Sequence, residues 1–268
     1  MTSRQFLRLC AAVPLVMVTG CISTSSETPP DPDSPEPEVT AAVPLAAVMI
    51  DRQAGQAVTA SGEVDEDTGV WTLGTLSGTL SDNGTEVTLD QGGIVTLEPG
   101  TTDFASIYVL TTSGGGQTPG VLGSPTDEAD LATLGDVTYS GMTTLLIEDG
   151  NVSYDLTGTA TIEADFDGGG VTTTLDVLSG QRREGFAEPV DVSDIGVLTV
   201  TGSVIEGAAF SGGTPAFASD QISDLSGSQT SSLEGAFFGP EADEVGAALV
   251  IDDTDAGSVT VLGTILAD

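Results

Sequence analysis

The chain has 268 residues, with 41 acidic side chains, five arginines, no lysine and no histidine, for a formal charge of −36. A chain of that sign repels a phosphate backbone, which excludes nucleic acid as a partner and disfavours adsorption to anionic lipid. Without histidine or lysine the usual nucleophile–base pairs and Schiff-base chemistry are unavailable, so composition points away from an enzyme.

The first eight residues carry Arg4 and Arg8 and no acid, and an apolar run from Leu9 to Val18 follows. That run is too short to cross a bilayer, which takes about 20 apolar residues. A basic start, a short apolar run and small residues at its end read as an export signal. Val18-Thr19-Gly20-Cys21 resembles the bacterial lipobox, in which the cysteine after two small residues receives the lipid. Residues 1–20 are therefore expected to be removed and Cys21 to be lipidated, anchoring the chain to a membrane. Ile22, not aspartate, follows Cys21, which by analogy with enterobacterial sorting favours the outer membrane. Removal of Arg4 and Arg8 takes the formal charge from −36 to −38. Cys10 leaves with the signal, so the exported part forms no disulfide and depends on packing and hydrogen bonding. We read the acidity itself as a device for solubility.

Residues 21–40 hold Pro29, Pro30, Pro32, Pro35 and Pro37 among Ser, Thr, Asp and Glu. Such a segment cannot bury a core, and in polyproline geometry it reaches roughly 60 Å. From Val43 to Gly116 the pattern is strand-rich but irregular, with candidates at Val70 to Leu80, Glu86 to Leu89, Ile94 to Leu97 and Phe104 to Thr112. Trp71 is the expected core anchor of this part. Ser113 to Leu134, with Gly114-Gly115-Gly116, Pro119 and Pro125, reads as a connection.

The C-terminal half is more regular. Val137 to Ile147 is a strand, and Val152 to Ala164 alternates without a break. Val152, Tyr154, Leu156, Gly158, Ala160, Ile162 and Ala164 occupy one face, with hydroxyl and acidic residues on the other. After an Asp/Gly-rich turn at Asp165 to Gly170, the chain returns through Val171, Thr173, Leu175 and Val177. Arg182-Arg183, the only basic pair after the signal, falls in a predicted loop before Phe186; relief of local negative charge is the favoured reading, with contact to an anionic ligand the alternative. Ile195 to Val204, Leu233 to Phe238, Ala247 to Ile251 and Ser258 to Leu266 complete the predicted strands. A chain of antiparallel hairpins closes most simply as an up-and-down barrel, which leaves no exposed edge.

The segment Leu233-Glu234-Gly235-Ala236-Phe237-Phe238-Gly239-Pro240-Glu241-Ala242-Asp243-Glu244-Val245-Gly246-Ala247 resembles the hallmark of the transferrin-binding protein B β-barrel domain. In that family a strand with Gly-x-Phe-Tyr-Gly-Pro runs into Ala-x-Glu-x-Gly-Gly. The matching positions are Gly235, Phe237, Phe238, Gly239, Pro240, Ala242, Glu244 and Gly246. Phe238 stands where tyrosine is usual and Ala247 where the second glycine is usual. The segments Leu131 to Gly141 and Thr161 to Phe166 resemble the family's lead-in to its first barrel strand and a strand ending in Asp-Phe. The resemblance covers residues 131–268. It implies an all-β chain: a C-terminal eight-stranded antiparallel up-and-down β-barrel, preceded by a small strand-rich handle-like domain and a disordered tether. The expected divisions are signal 1–20, lipidated tether 21–40, handle-like domain 41–130 and barrel 131–268. Small and aliphatic side chains are expected to fill the barrel. In function it implies a surface lipoprotein binding a macromolecular ligand without catalysis, in iron, haem or protein acquisition. Its partners would be a surface-lipoprotein translocator and a TonB-dependent outer-membrane receptor. No ligand-binding residue is carried over.

Two alternatives stand beside that reading: a structural or adhesive envelope lipoprotein, and a small-ligand carrier for haem or a metallophore. An axial haem ligand would come from Tyr108, Tyr139, Tyr154, Met49 or Met142, with Tyr108 the first choice. Asp65-Glu66-Asp67-Thr68-Gly69 and Asp253-Thr254-Asp255-Ala256-Gly257 each resemble the opening of an EF-hand loop. The closing glutamate is absent, with Leu76 and Thr264 in its place. Both are read as solvated hairpin turns, with loose calcium binding the lesser alternative; no cofactor beyond the lipid and no metal ligand is expected.

Overall fold

A computed structural model of the chain describes residues 42–98, 102–253 and 259–268. The signal, Cys21 and the whole of the tether lie outside the described residues.

The first barrel is built from β1 (Val43–Asp51), β2 (Gln56–Val64), β3 (Val70–Leu73), β4 (Leu76–Leu80), β5 (Glu86–Leu89), β6 (Gly93–Leu97), β7 (Ala105–Thr112) and β8 (Gln117–Gly123). Each strand pairs antiparallel with the next, and β1 pairs with β8, so the sheet closes. Two sequence readings are corrected here. Val70 to Leu80 is a hairpin, because Gly74 takes φ +57 at the turn between β3 and β4. The glycine- and proline-rich stretch read as a connection contains β8, the strand that closes the barrel. Its Gly120 leaves space for a ring, since a Cβ there would lie 2.7 Å from Tyr108. Trp71 is buried in this interior with Leu73, Val87, Val95 and Tyr108, as expected.

A short helix, α1 (Glu128–Leu131), follows, capped by Asp127 accepting from the Ala129 amide. The second barrel comprises β9 (Asp136–Asp149), β10 (Val152–Asp165), β11 (Gly170–Glu184), β12 (Val190–Val192), β13 (Val197–Glu206), β14 (Ala209–Ala218), β15 (Thr230–Phe238), β16 (Glu244–Asp253) and β17 (Val259–Ala267). Eight of these strands close in sequence order, with β17 returning to β9, while β12 lies against the far end of β11.

The face predicted for β10 is the interior face: Tyr154, Leu156, Ala160, Ile162 and Ala164 are buried, and Asp155, Thr157, Thr159 and Glu163 are exposed. The return strand departs from prediction at Val177. Thr157 pairs with Ser179 but Thr159 with Asp176, so β11 carries an extra residue. This bulge turns Val177 outward, at φ +53 and 58% exposed, and puts Leu178 inside instead. A β-branched residue is strained in the left-handed region, so Val177→Asn is expected to raise stability by about 1 kcal/mol, read as a higher unfolding midpoint. Beyond the bulge β11 continues to Glu184, so Arg182 and Arg183 lie on a strand and not in a loop. The β14 strand was not legible in the sequence. The barrel interior also carries more aromatic volume than expected. Phe237 stands at its centre, with ring centroids 4.9 Å from Phe166, 5.4 Å from Phe210 and 6.1 Å from Tyr139.

Between the barrels lies a third apolar cluster. Val48, Ile50, Ala57, Ala105 and Val121, on the outer face of the first barrel, pack against Ala236, Phe238, Ala248, Val250 and Leu266 of the second. The β16 strand is therefore dry on both faces, with Ala247, Leu249 and Ile251 in the barrel core and Ala248 and Val250 in the joint.

Candidate functional site

The motif residues form the joint between the barrels. Phe237 and Phe238 are neighbours on β15 and point to opposite faces, one into the second barrel and one into the joint. The backbone makes room for Phe238: a Cβ on Gly123 would lie 2.7 Å from its ring, and one on Gly246 would meet Val121 at 2.5 Å and Phe238 at 3.0 Å. Gly239 ends the strand at φ +86, and Ala242 is buried under the second barrel at φ +53. Pro240 lies in the turn between β15 and β16. Gly235 serves the barrel interior, since a Cβ there would lie 2.0 Å from the Phe210 ring.

Glu244 is the electrostatic half of the joint. It is 3% exposed, and its carboxylate reaches into the first barrel. Oε1 accepts from the amides of Asp103 (2.5 Å) and Phe104 (2.9 Å), and Oε2 from that of Ala105 (2.7 Å). Three successive amides converging on one carboxylate make an anion nest, here filled by a side chain of the other barrel. The connection after β8 adds to it: the Thr126 hydroxyl donates to the Gly239 carbonyl, and the Gly239 amide donates to the Ser124 carbonyl. The sequence motif therefore marks a structural joint.

Two features have the character of binding surfaces. The first is a cavity of about 720 Å³ at the end of the first barrel where β1 begins and β8 finishes. Leu45, Val64, Trp71, Leu80, Val87, Leu97 and Leu122 form its walls, and Glu66, Asp67, Asp82 and Asp103 stand at its rim. Ser106 also lines it; the residue is 1% exposed and its hydroxyl has no hydrogen-bond partner. The second is the loop between β11 and β12, where Phe186 is fully exposed beside half-exposed Val190. An aromatic ring held wholly in water contributes nothing to folding, and such rings are typical anchors of protein interfaces.

The remaining sequence candidates fall elsewhere. Tyr108, the first-choice haem ligand, is buried in the first barrel and does not line the cavity. Tyr139 and Tyr154 fill the second barrel, where the Tyr154 hydroxyl donates to the Gln221 carbonyl at 3.0 Å. Met142 is exposed on β9, and Met49 packs against the first-barrel core. Asp65 turns one carboxylate oxygen onto the amides of Asp67 and Thr68, closing its own turn. The Thr68 amide bond, first among its causes, holds the Asp65 carboxyl below its ordinary value. Asp253 is buried and accepts from the amide and hydroxyl of Ser226; the rest of that turn lies outside the described residues. Among the described residues no cluster of three or more potential ligands could hold a metal ion. Arg182 pairs with Glu184 at 3.0 Å on the exposed end of β11.

Tyr108 and Tyr139 each bury a hydroxyl that has no partner. Burial pushes both phenols above their ordinary value, and the charge of Asp243 adds to the effect at Tyr139. The unfolded chain therefore ionises first, so stability falls as pH rises through the ordinary phenol value near 10 and keeps falling toward the raised folded value. Tyr108→Phe and Tyr139→Phe are expected to match the parent at neutral pH or exceed it by about 1 kcal/mol, and to lose less stability at alkaline pH. Urea unfolding on either side of the phenol transition measures both effects.

No protein-family model matches the chain, and no curated protein matches it in sequence. Solved structures do. A point mutant of the vaccine antigen transferrin-binding protein B from Haemophilus parasuis superposes with a TM-score of 0.54 at 17% identity, covering 84% of this chain and 44% of that one. A double mutant of the same antigen gives 0.53 at 16% identity, with the same coverage. The haemoglobin receptor HpuA of Kingella denitrificans, solved with human haemoglobin, gives a TM-score of 0.39 at 12% identity. The chain spans less than half the length of the transferrin-binding protein B structures it matches. It has the fold of the matched part of transferrin-binding protein B, and the segment Gly235 to Gly246 lies at the joint between its two barrels.

Proposed function

We propose that the protein is a non-enzymatic binding protein, held on the outer membrane by lipid on Cys21 and presenting its two barrels at the cell surface to a macromolecular ligand. The observation that carries this reading is the fold. The two barrels joined through Glu244 and Phe238 share their architecture with transferrin-binding protein B, whose name states what it binds. The exposed Phe186 loop supplies this chain's own candidate contact. A surface-lipoprotein translocator and a TonB-dependent receptor are the partners that this role would require.

The contact surface is tested by a photocrosslinking side chain placed at Phe186 in living cells, with the same group at exposed Asp90 on the first barrel as control. A discrete adduct of higher mass from position 186 alone is the expected result. No adduct, or the same adducts from both positions, removes the loop from the proposal.

A further inference from the structure

We propose that the open end of the first barrel is a binding site for a small cation with an apolar body, such as an alkylammonium or aromatic ammonium compound. The cavity has the size of a small-molecule site, about 300–1,000 Å³ in known cases. Its walls are leucine, valine and the single tryptophan of the chain, which favour a hydrocarbon or aromatic body over water. The buried Ser106 hydroxyl lacks a partner on this wall, and an unsatisfied buried hydroxyl marks a place where a ligand atom can bond.

The head group follows from charge. Four carboxylates, Glu66, Asp67, Asp82 and Asp103, stand at the rim, and among the described residues no arginine lines the site. Arg52 lies in the turn between β1 and β2, at the opposite end of the barrel, and Arg182 and Arg183 are on the second barrel. A cleft with low-dielectric walls and charge of one sign focuses its field, so a positive head group is drawn in and a carboxylate or phosphate is repelled. The apolar walls and the missing cation likewise argue against haem, whose propionates would face this rim.

Trp71 is the only tryptophan and lines the site, so its emission reports occupancy directly. The non-lipidated mature chain, carrying Cys21→Ala, is titrated with decyltrimethylammonium and separately with decanoate, both below micelle formation. A saturable change in Trp71 emission is expected with the cation, with affinity at least about tenfold above that for decanoate at low ionic strength, narrowing as salt is added. The double variant Glu66→Gln, Asp82→Asn alters two exposed rim residues and is expected to keep the parent unfolding midpoint while shrinking the preference to below about threefold. Emission indifferent to both probes, equal affinity for the two, or a preference unchanged in the rim variant would each overturn the proposal.

Discussion

Glu244→Ala is expected to uncouple the two barrels. The wild-type carboxylate is buried and satisfies three consecutive amides, Asp103 to Ala105, that lead into β7, a strand of the other barrel. Alanine leaves those amides without an acceptor in a site where water is largely excluded. Hydrogen bonds to a charged acceptor contribute about 1.5–3 kcal/mol each, and breaking a buried charged cluster costs about 3–5 kcal/mol in total. The loss falls on the first barrel, because its donors are orphaned. Trp71 emission follows that barrel, while circular dichroism follows all the strands. In the parent the two signals should change together in denaturant. In Glu244→Ala the Trp71 transition is expected to move ahead of the other. Glu244→Gln keeps the shape but turns one acceptor into a donor facing an amide, so an intermediate loss is expected. Coincident transitions with a shift under about 1 kcal/mol would show that the apolar part of the joint suffices.

Gly235→Val is expected to be the most damaging single change in the second barrel. A Cβ at this position would stand 2.0 Å from Cζ and 2.2 Å from Cε1 of Phe210, far inside van der Waals contact. Phe210 cannot yield easily, because its ring packs on Phe237 at the centre of the core. Overpacking of this kind costs about 3 kcal/mol or more when the obstructing group is a buried ring. The cause can be isolated by a second change. Phe210→Leu alone should destabilise by leaving unfilled space, yet combined with Gly235→Val it should recover part of the loss, because the two volumes compensate. Purely additive losses in the double variant would mean that the glycine serves backbone conformation and not the ring.

The sequence revealed strands wherever one face is dry and the other wet. Tyr154 to Ala164 reads cleanly because every second residue enters the core, and β9 reads for the same reason. Prediction failed where a strand obeys a different constraint. The β8 strand carries Pro119, Gly120 and Gly123, turn residues by composition, yet Gly120 is required beside the Tyr108 ring. The β14 strand holds Gly212 and Gly213, both at positive φ, and Pro215, which mask its alternation. The bulge at Val177 could not be seen because it depends on the register of the partner strand. The motif around Gly239 was legible as a string, but its role as a joint was not. Glu244 meets amides some 140 positions away, and no local pattern encodes that distance. The cavity was invisible for the same reason, since its rim acids come from three separate loops.

Display at the cell surface is tested most directly by protease treatment of intact cells expressing the tagged full-length chain, beside a Cys21→Ala control. The account predicts that the barrels of the wild-type protein are cleaved on whole cells, while the unlipidated control shows no cell-attached cleavage. Protection of the wild-type protein until the outer membrane is broken would contradict it and place the barrels on the periplasmic side.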